Sequence, residues 1–215
     1  MDLQTWLAFL AASCVIAVSP GSGAVLSMGH GLAYGVRRTS ATIMGLQLGL
    51  LLILLVAGAG VGSLLLASDM AFSTIKVLGA CYLIYLGLCQ WRSRGEGLLP
   101  TVSAMPDSRW QSRCLAGFLT NTTNPKGIVF MVAVLPQFMT EVRPLWTQLL
   151  VMAATLVSVD VVVMHGYAAG ASALRRLLHT ARAVRLQNRV LGGLLMAVGV
   201  GLFFVQRQAP QVSGF

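Results

Sequence analysis

The chain has 215 residues, 56% of them hydrophobic and only 10% charged, with mean hydropathy +0.79. Soluble domains carry about 25% charged residues, so this one cannot hide its apolar surface by folding on itself and belongs in a bilayer. Its net charge of +9 does not argue for a nucleic-acid partner, because the arginines sit between apolar runs, where membrane orientation calls for them.

The first apolar run, 3–27, has no basic residue ahead of it. It lacks the positive start of a cleavable signal and is expected to stay as a helix. It is interrupted at Ser19-Pro20-Gly21. A capping side chain followed by proline is how a new helix begins, because the cap satisfies a free N–H and proline lacks one. In lipid such a break is tolerated only where the exposed backbone lines a cavity or is covered by protein. At about 1.5 Å of rise per residue, Pro20 lies roughly 21 Å beyond Trp6, in the middle of a hydrocarbon layer about 30 Å thick. Runs 40–67 and 70–90 follow, parted by a tight turn at Asp69. Gln47 is a polar group on the second, and Lys76 on the third is placed to reach outward to the interface.

After a connection over 91–112, the fourth run, 114–138, repeats the device at Asn124-Pro125-Lys126, 105 positions after the first proline. Pro125 lies roughly 16 Å past Cys114, again at mid-depth. The fifth run, 146–170, carries Asp160, the only acidic residue deep inside a span. A lone carboxylate there must be protonated, paired or hydrated. Lys126, at similar depth, is its expected partner, as a proton-coupling pair or as a fixed ion pair. The sixth run, 190–206, follows Arg175, Arg176, Arg182, Arg185 and Arg189.

Six runs of membrane length predict an all-α, polytopic membrane protein in a single transport domain over 1–215. A broken first or fourth segment that re-enters one face is the alternative. The connections after the first, third and fifth runs hold eleven arginines, against Arg143 and Arg207 elsewhere. Positive loops stay inside, so both termini are expected outside. Trp6, Trp91, Trp110 and Trp146 flank the runs, as an interfacial aromatic belt requires. The halves, about 1–90 and 113–206 around a cytoplasmic connection at 91–112, then have opposite topology. They form two inverted three-helix repeats with proline-broken first and fourth helices.

A half-helix starting at mid-membrane points free N–H groups and its positive end at whatever lies between the halves. The natural guest is an anion such as an amino-acid carboxylate. The candidate binding residues are therefore Ser19, Pro20, Gly21, Gly23, Gln47, Asn121, Asn124, Pro125 and Lys126, with Gly127 leaving further room and Asp160 as the proton-coupling group. Thr122 and Thr123 either line the site or bond between helices. The spacings Gly45/Gly49 and Gly58/Gly62 suit close packing within the chain or between subunits of a homo-oligomer. Cys14, Cys81, Cys89 and Cys114 have no CxxC or histidine spacing, so neither disulfide nor metal is expected. No cofactor fingerprint occurs. Ser22 with His165 could in principle form a nucleophile and base, but no carboxylate is placed to orient the histidine and the pattern is not GxSxG.

Several of these residues carry a resemblance. Ser19-Pro20-Gly21-Ser22-Gly23-Ala24, Gly45-Leu46-Gln47, Ala80-Cys81-Tyr82-Leu83-Ile84-Tyr85-Leu86-Gly87, Thr123-Asn124-Pro125-Lys126 and Pro136-Gln137-Phe138 resemble the lysine-exporter superfamily over nearly the whole chain. The serine after Pro20-Gly21 is similar to its homoserine/threonine-resistance branch, and Asp160 sits where the family also places an acidic residue. The resemblance implies proton-driven export of a small neutral amino acid from the bacterial cytoplasm across the inner membrane. Homoserine or its lactone is the first choice, and threonine or another neutral amino acid the alternative. Two readings from other classes are a non-transporting membrane assembly subunit and a passive pore.

Overall fold

The structure is a computed structural model and describes residues 1–67, 69–92, 109–140, 143–173 and 181–204. Most of the expected connection, with Arg94, and also Arg175, Arg176 and Arg207, lie outside the described residues. Within them every regular element is helical and no strand occurs.

Helix α1 spans Leu3–Val18 and α2 spans Ser22–Tyr34. They meet at a bend of 55°. Asp2 starts α1 by accepting from the Thr5 N–H at 2.8 Å and from its hydroxyl at 2.9 Å. These bonds, the backbone one first, hold the exposed Asp2 carboxyl below its usual range. α2 ends at Gly35, whose φ of 77° is a conformation that side-chain-bearing residues rarely adopt. The chain then turns into α3, Val36–Ala67, followed by α4, Asp69–Arg92. In the second half α5 is Trp110–Thr122 and α6 is Pro125–Val134, extended by a 3-10 turn over Leu135–Phe138. α7, Leu145–Ala173, and α8, Ala181–Phe204, complete the chain.

Two stretches, Val36–Gly60 in α3 and Leu145–Ala171 in α7, are each long and apolar enough to cross a bilayer, and the bent α1–α2 pair, if it is one broken span and not a re-entrant loop, makes a third. These apolar helices make the chain a membrane protein. The apolar stretches Val77–Cys89, Pro125–Phe138 and Asn188–Gly201 are shorter. Among the described residues two stretches, or three with the bent pair, are thus long and apolar enough to cross, against the six runs expected.

Backbone contact at glycines locks the helices together. A Cβ on Gly45 of α3 would lie 1.9 Å from the Cys114 carbonyl oxygen of α5, and one on Gly117 of α5 would lie 2.1 Å from that of Thr42. Gly87 of α4 and Gly192 of α8 meet the same way. Small residues allow this approach where apolar side chains gain nothing by leaving lipid. The glycine spacing singled out at Gly45/Gly49 is therefore used inside the chain, and Gly58 likewise faces Leu149 of α7. Two apolar clusters result. The larger joins Phe9, Leu54, Leu83, Phe130, Leu135 and Met152; the smaller joins Ala24, Ile43, Leu46 and Met164.

Candidate functional site

Between these clusters lies a cavity of about 60 Å³, and both helix breaks open onto it. At the second break the expectation from sequence is met. Asn124 caps α6, its Oδ1 accepting from the Lys126 backbone N–H at 3.1 Å, and Pro125 is the first helical residue. The first break differs. Ser19 closes α1, its N–H donating to Val15 O at 3.0 Å, and Gly21 rather than Ser19 is the N-cap of α2. Both residues before proline are extended, Ser19 at φ −69°, ψ 116° and Asn124 at φ −74°, ψ 107°, because the proline ring excludes the helical region there. After Pro20, Gly21 stays extended at φ −144°, ψ −168°, so the helix resumes later than at Pro125. With no side chain on Gly21, the first turn of α2 has no side-chain cap, and Gly23 and Ala24 from that turn line the cavity.

Eight of the expected residues line it: Ser19, Gly21, Gly23, Asn121, Asn124, Lys126, Gly127 and Asp160. Pro20, half-buried, and Pro125, exposed, do not; they set where the helices break, and their neighbours form the wall. Gln47 is buried behind the wall and donates Nε2 to Asp160 Oδ2 at 2.6 Å. Its Oε1 has no partner among the described residues. Asn121 Nδ2 is bonded to Leu46 O at 2.7 Å, tying α5 to α3. Thr122 and Thr123 bond back to carbonyls of their own helix.

Lys126 and Asp160, expected as a pair, make no direct hydrogen bond, although their charges lie close enough to attract. The Lys126 ammonium crosses to the end of α1 and donates to Ile16 O at 3.0 Å and to Ser19 O. The cause is local: a helix end leaves carbonyls without partners and carries partial negative charge. Tyr167 of α7 serves the same end, its hydroxyl donating to Val18 O at 2.6 Å. Cation and carboxylate face one cavity, each held by other groups.

Ser22 is exposed, and the two nitrogens of His165 are engaged by Ser40, 3.1 Å away, and by Val161 O, 2.8 Å away. The serine and histidine weighed as a catalytic pair are thus not built into one.

A profile of the LysE type translocators matches residues 14–206. The chain belongs to that family. The homoserine/homoserine lactone efflux protein of Salmonella typhi is 39% identical over 199 residues, spanning 93% of this chain and 96% of the relative. An uncharacterized membrane protein of Vibrio cholerae is 38% identical over 200 residues, with 93% and 97% covered. The leucine efflux protein of an Enterobacter species is 26% identical over 209 residues, with 93% and 95% covered. No solved structure matches the chain.

In this LysE type translocator the sequence reading missed Tyr167 and Ser13. Both have a signal in hindsight. A tyrosine well inside an apolar helix needs a partner for its hydroxyl. Ser13 stands between Phe9 and Ala17 on the buried stripe of α1 and donates to Phe9 O at 2.7 Å. The apolar wall, with Leu50, Phe130, Met131 and Leu156, was not distinguishable from lipid-facing positions by hydropathy, since both are equally apolar.

Proposed function

We propose that this LysE type translocator is a proton-driven exporter of a small neutral amino acid, homoserine first, from the bacterial cytoplasm. The carrying observation is the cavity at two helix breaks, lined by Asp160 and Lys126 together with the starts of α2 and α6. A zwitterion needs both ends served. Its carboxylate meets the N–H groups of the first turns of α2 and α6, and the Lys126 charge adds to that field. Its ammonium meets Asp160, beside the unpartnered Gln47 Oε1. At about 60 Å³ the cavity has the volume of about two water molecules, so a small amino acid enters only as the halves part, and a peptide is far too large. Homoserine lactone, which has no free carboxylate, binds through its ammonium at Asp160, with its carbonyl oxygen accepting from the same N–H groups.

The transport unit is six crossings in two inverted halves, with both termini outside the inner membrane and the arginine-rich connections inside. The two apolar clusters on either side of the cavity serve as alternating seals. A proton from outside neutralises Asp160, releases the ammonium and favours the return conformation. No step calls for covalent chemistry, so the reading is a transporter and not an enzyme.

The apolar wall and the leucine efflux relative favour leucine as the competing substrate. The test is counterflow of labelled homoserine, homoserine lactone, threonine and leucine in proteoliposomes, with and without an imposed pH gradient. Homoserine accumulation that collapses with the gradient supports the proposal. Flux of none of the four overturns transport of this class, and flux indifferent to the gradient indicates a pore.

A further inference from the structure

A separate cavity of about 430 Å³ lies at the junction of α3 and α5, and shares no residue with the first. Arg37, Arg38, Ser40, Met44, Trp110 and Arg113 line it, and no carboxylate among the described residues does. Arg113 is only 7% exposed. Its Nε donates to Arg38 O at 3.2 Å and its guanidinium stands 5.3 Å over the Tyr34 ring, so its charge is fixed in place. Three guanidinium groups around one hollow create a field that draws in an anion, and their planar forks suit phosphate oxygens.

The depth of the hollow narrows the choice of anion. Arg37 and Arg38 stand in the first turn of α3, at the start of the apolar stretch Val36–Gly60, and so at a bilayer surface whichever way the chain is oriented. Trp110, exposed at the start of α5, is an interfacial residue type. Below the arginines, Met44, Leu48 and Leu52 are exposed at four-residue spacing, which puts them on one face of α3 running from the cavity into the hydrocarbon layer.

We propose that this cavity binds the phosphodiester headgroup of an anionic phospholipid, with Arg37, Arg38 and Arg113 around the phosphate and an acyl chain along Met44, Leu48 and Leu52. Basic hollows between helices at the membrane surface are suited to such headgroups. A free phosphate would satisfy the arginines alone and leave the apolar stripe unused.

The full-length protein, purified in detergent, is exposed to phosphatidylglycerol and phosphatidylcholine with identical acyl chains, and retained lipid is read by native mass spectrometry. The expected result is preferential retention of phosphatidylglycerol. Each basic residue near an anionic headgroup contributes about fivefold, so the double variant Arg37→Gln/Arg38→Gln should lower that retention about 30-fold. Arg143→Gln, at the opposite end of the chain's apolar helices, should leave it unchanged. Equal retention of both lipids, or full retention by the double variant, overturns the proposal. So does displacement of the lipid by excess inorganic phosphate, which would assign the site to free phosphate. Should the double variant fail to insert, quenching by phosphatidylglycerol brominated on its chains decides: it should be strong in the wild type and reduced in Trp110→Phe. Equal quenching by brominated phosphatidylcholine refutes the site.

Discussion

Lys126, in the first turn after the second helix break, donates its ammonium to the Ser19 carbonyl at the first. One side chain thus ties the two breaks together and offsets the negative end of α1. Gly21 packs against it: a Cβ there would lie 3.3 Å from both the Cε and Nζ of Lys126. Replacing Lys126 with methionine takes this donor from the Ile16 and Ser19 carbonyls and leaves that of Ile16 unsatisfied, at about 1–3 kcal/mol for a buried group. The expected outcome is protein that inserts but melts several degrees lower, with homoserine counterflow down by at least tenfold. Lys126→Arg, which keeps charge and donors, should recover part of both. Thermal melting in detergent and proteoliposome flux, measured on the same preparations, check this.

Asp160 gives the second prediction. Asn at this position can still accept from Gln47 Nε2, now 2.6 Å from the carboxylate, but it cannot take up and release a proton. In Asp160→Asn, gradient-driven accumulation should vanish while the protein still inserts and melts within a few degrees of wild type. Gln47→Leu removes the donor and keeps the titrating group. It should lower flux while leaving it dependent on the gradient, because Asp160 then loses the contact that fixes its position but can still take up and release a proton. If Asp160→Asn keeps full gradient-driven accumulation, the proton-coupling role fails.

The helix order and the second break could be read from residues, because caps, prolines and apolar run lengths are local signals. Asn124-Pro125 behaves in the structure as its sequence demands. Ser19-Pro20 does not, because the glycine that follows lets the chain stay extended before the helix resumes. Which residues converge was legible as well, since Ser19, Asn124, Lys126 and Asp160 all line one cavity. Their partners were not. Depth alone made Lys126 and Asp160 a pair, whereas the structure gives the cation to backbone carbonyls and the carboxylate to Gln47. A helix end has no sequence signature for who will cap it from 110 residues away. The hydrogen-bond demand of that end, rather than charge matching, decides where the lysine goes.

Asp2 supplies a pH prediction outside the membrane-spanning helices. Its carboxyl is held below the usual range, first by the Thr5 N–H and then by the Thr5 hydroxyl. A depressed folded value means that the stabilisation is fully present above the unfolded value and is lost as pH falls through the folded one. Hydrogen exchange at the Thr5 and Trp6 amides should therefore rise several-fold on acidification through the carboxylate range, relative to amides in the middle of α1. Asp2→Asn keeps a capping acceptor without the charge and should flatten that rise.

Gly45 and Gly166 provide a contrast of sign within one fold. A methyl group on Gly45 would meet the Cys114 carbonyl oxygen at 1.9 Å and the Phe118 nitrogen at 2.9 Å, both backbone atoms that cannot turn aside. Gly45→Ala must push α3 and α5 apart, and that strain costs roughly 1–3 kcal/mol or more. Because Asn121 bonds to Leu46 O across this same seam, separation also disturbs a residue of the cavity wall. Gly166 in α7 is exposed, and a Cβ there has no neighbour within 4 Å. Alanine at that position relieves the entropic penalty of glycine in a helix, about 0.5–1 kcal/mol. Melting curves of the two single variants should therefore move in opposite directions, with counterflow reduced only in Gly45→Ala. Equal melting temperatures for both variants would mean that the seam between α3 and α5 is looser than the contact at Cys114 requires.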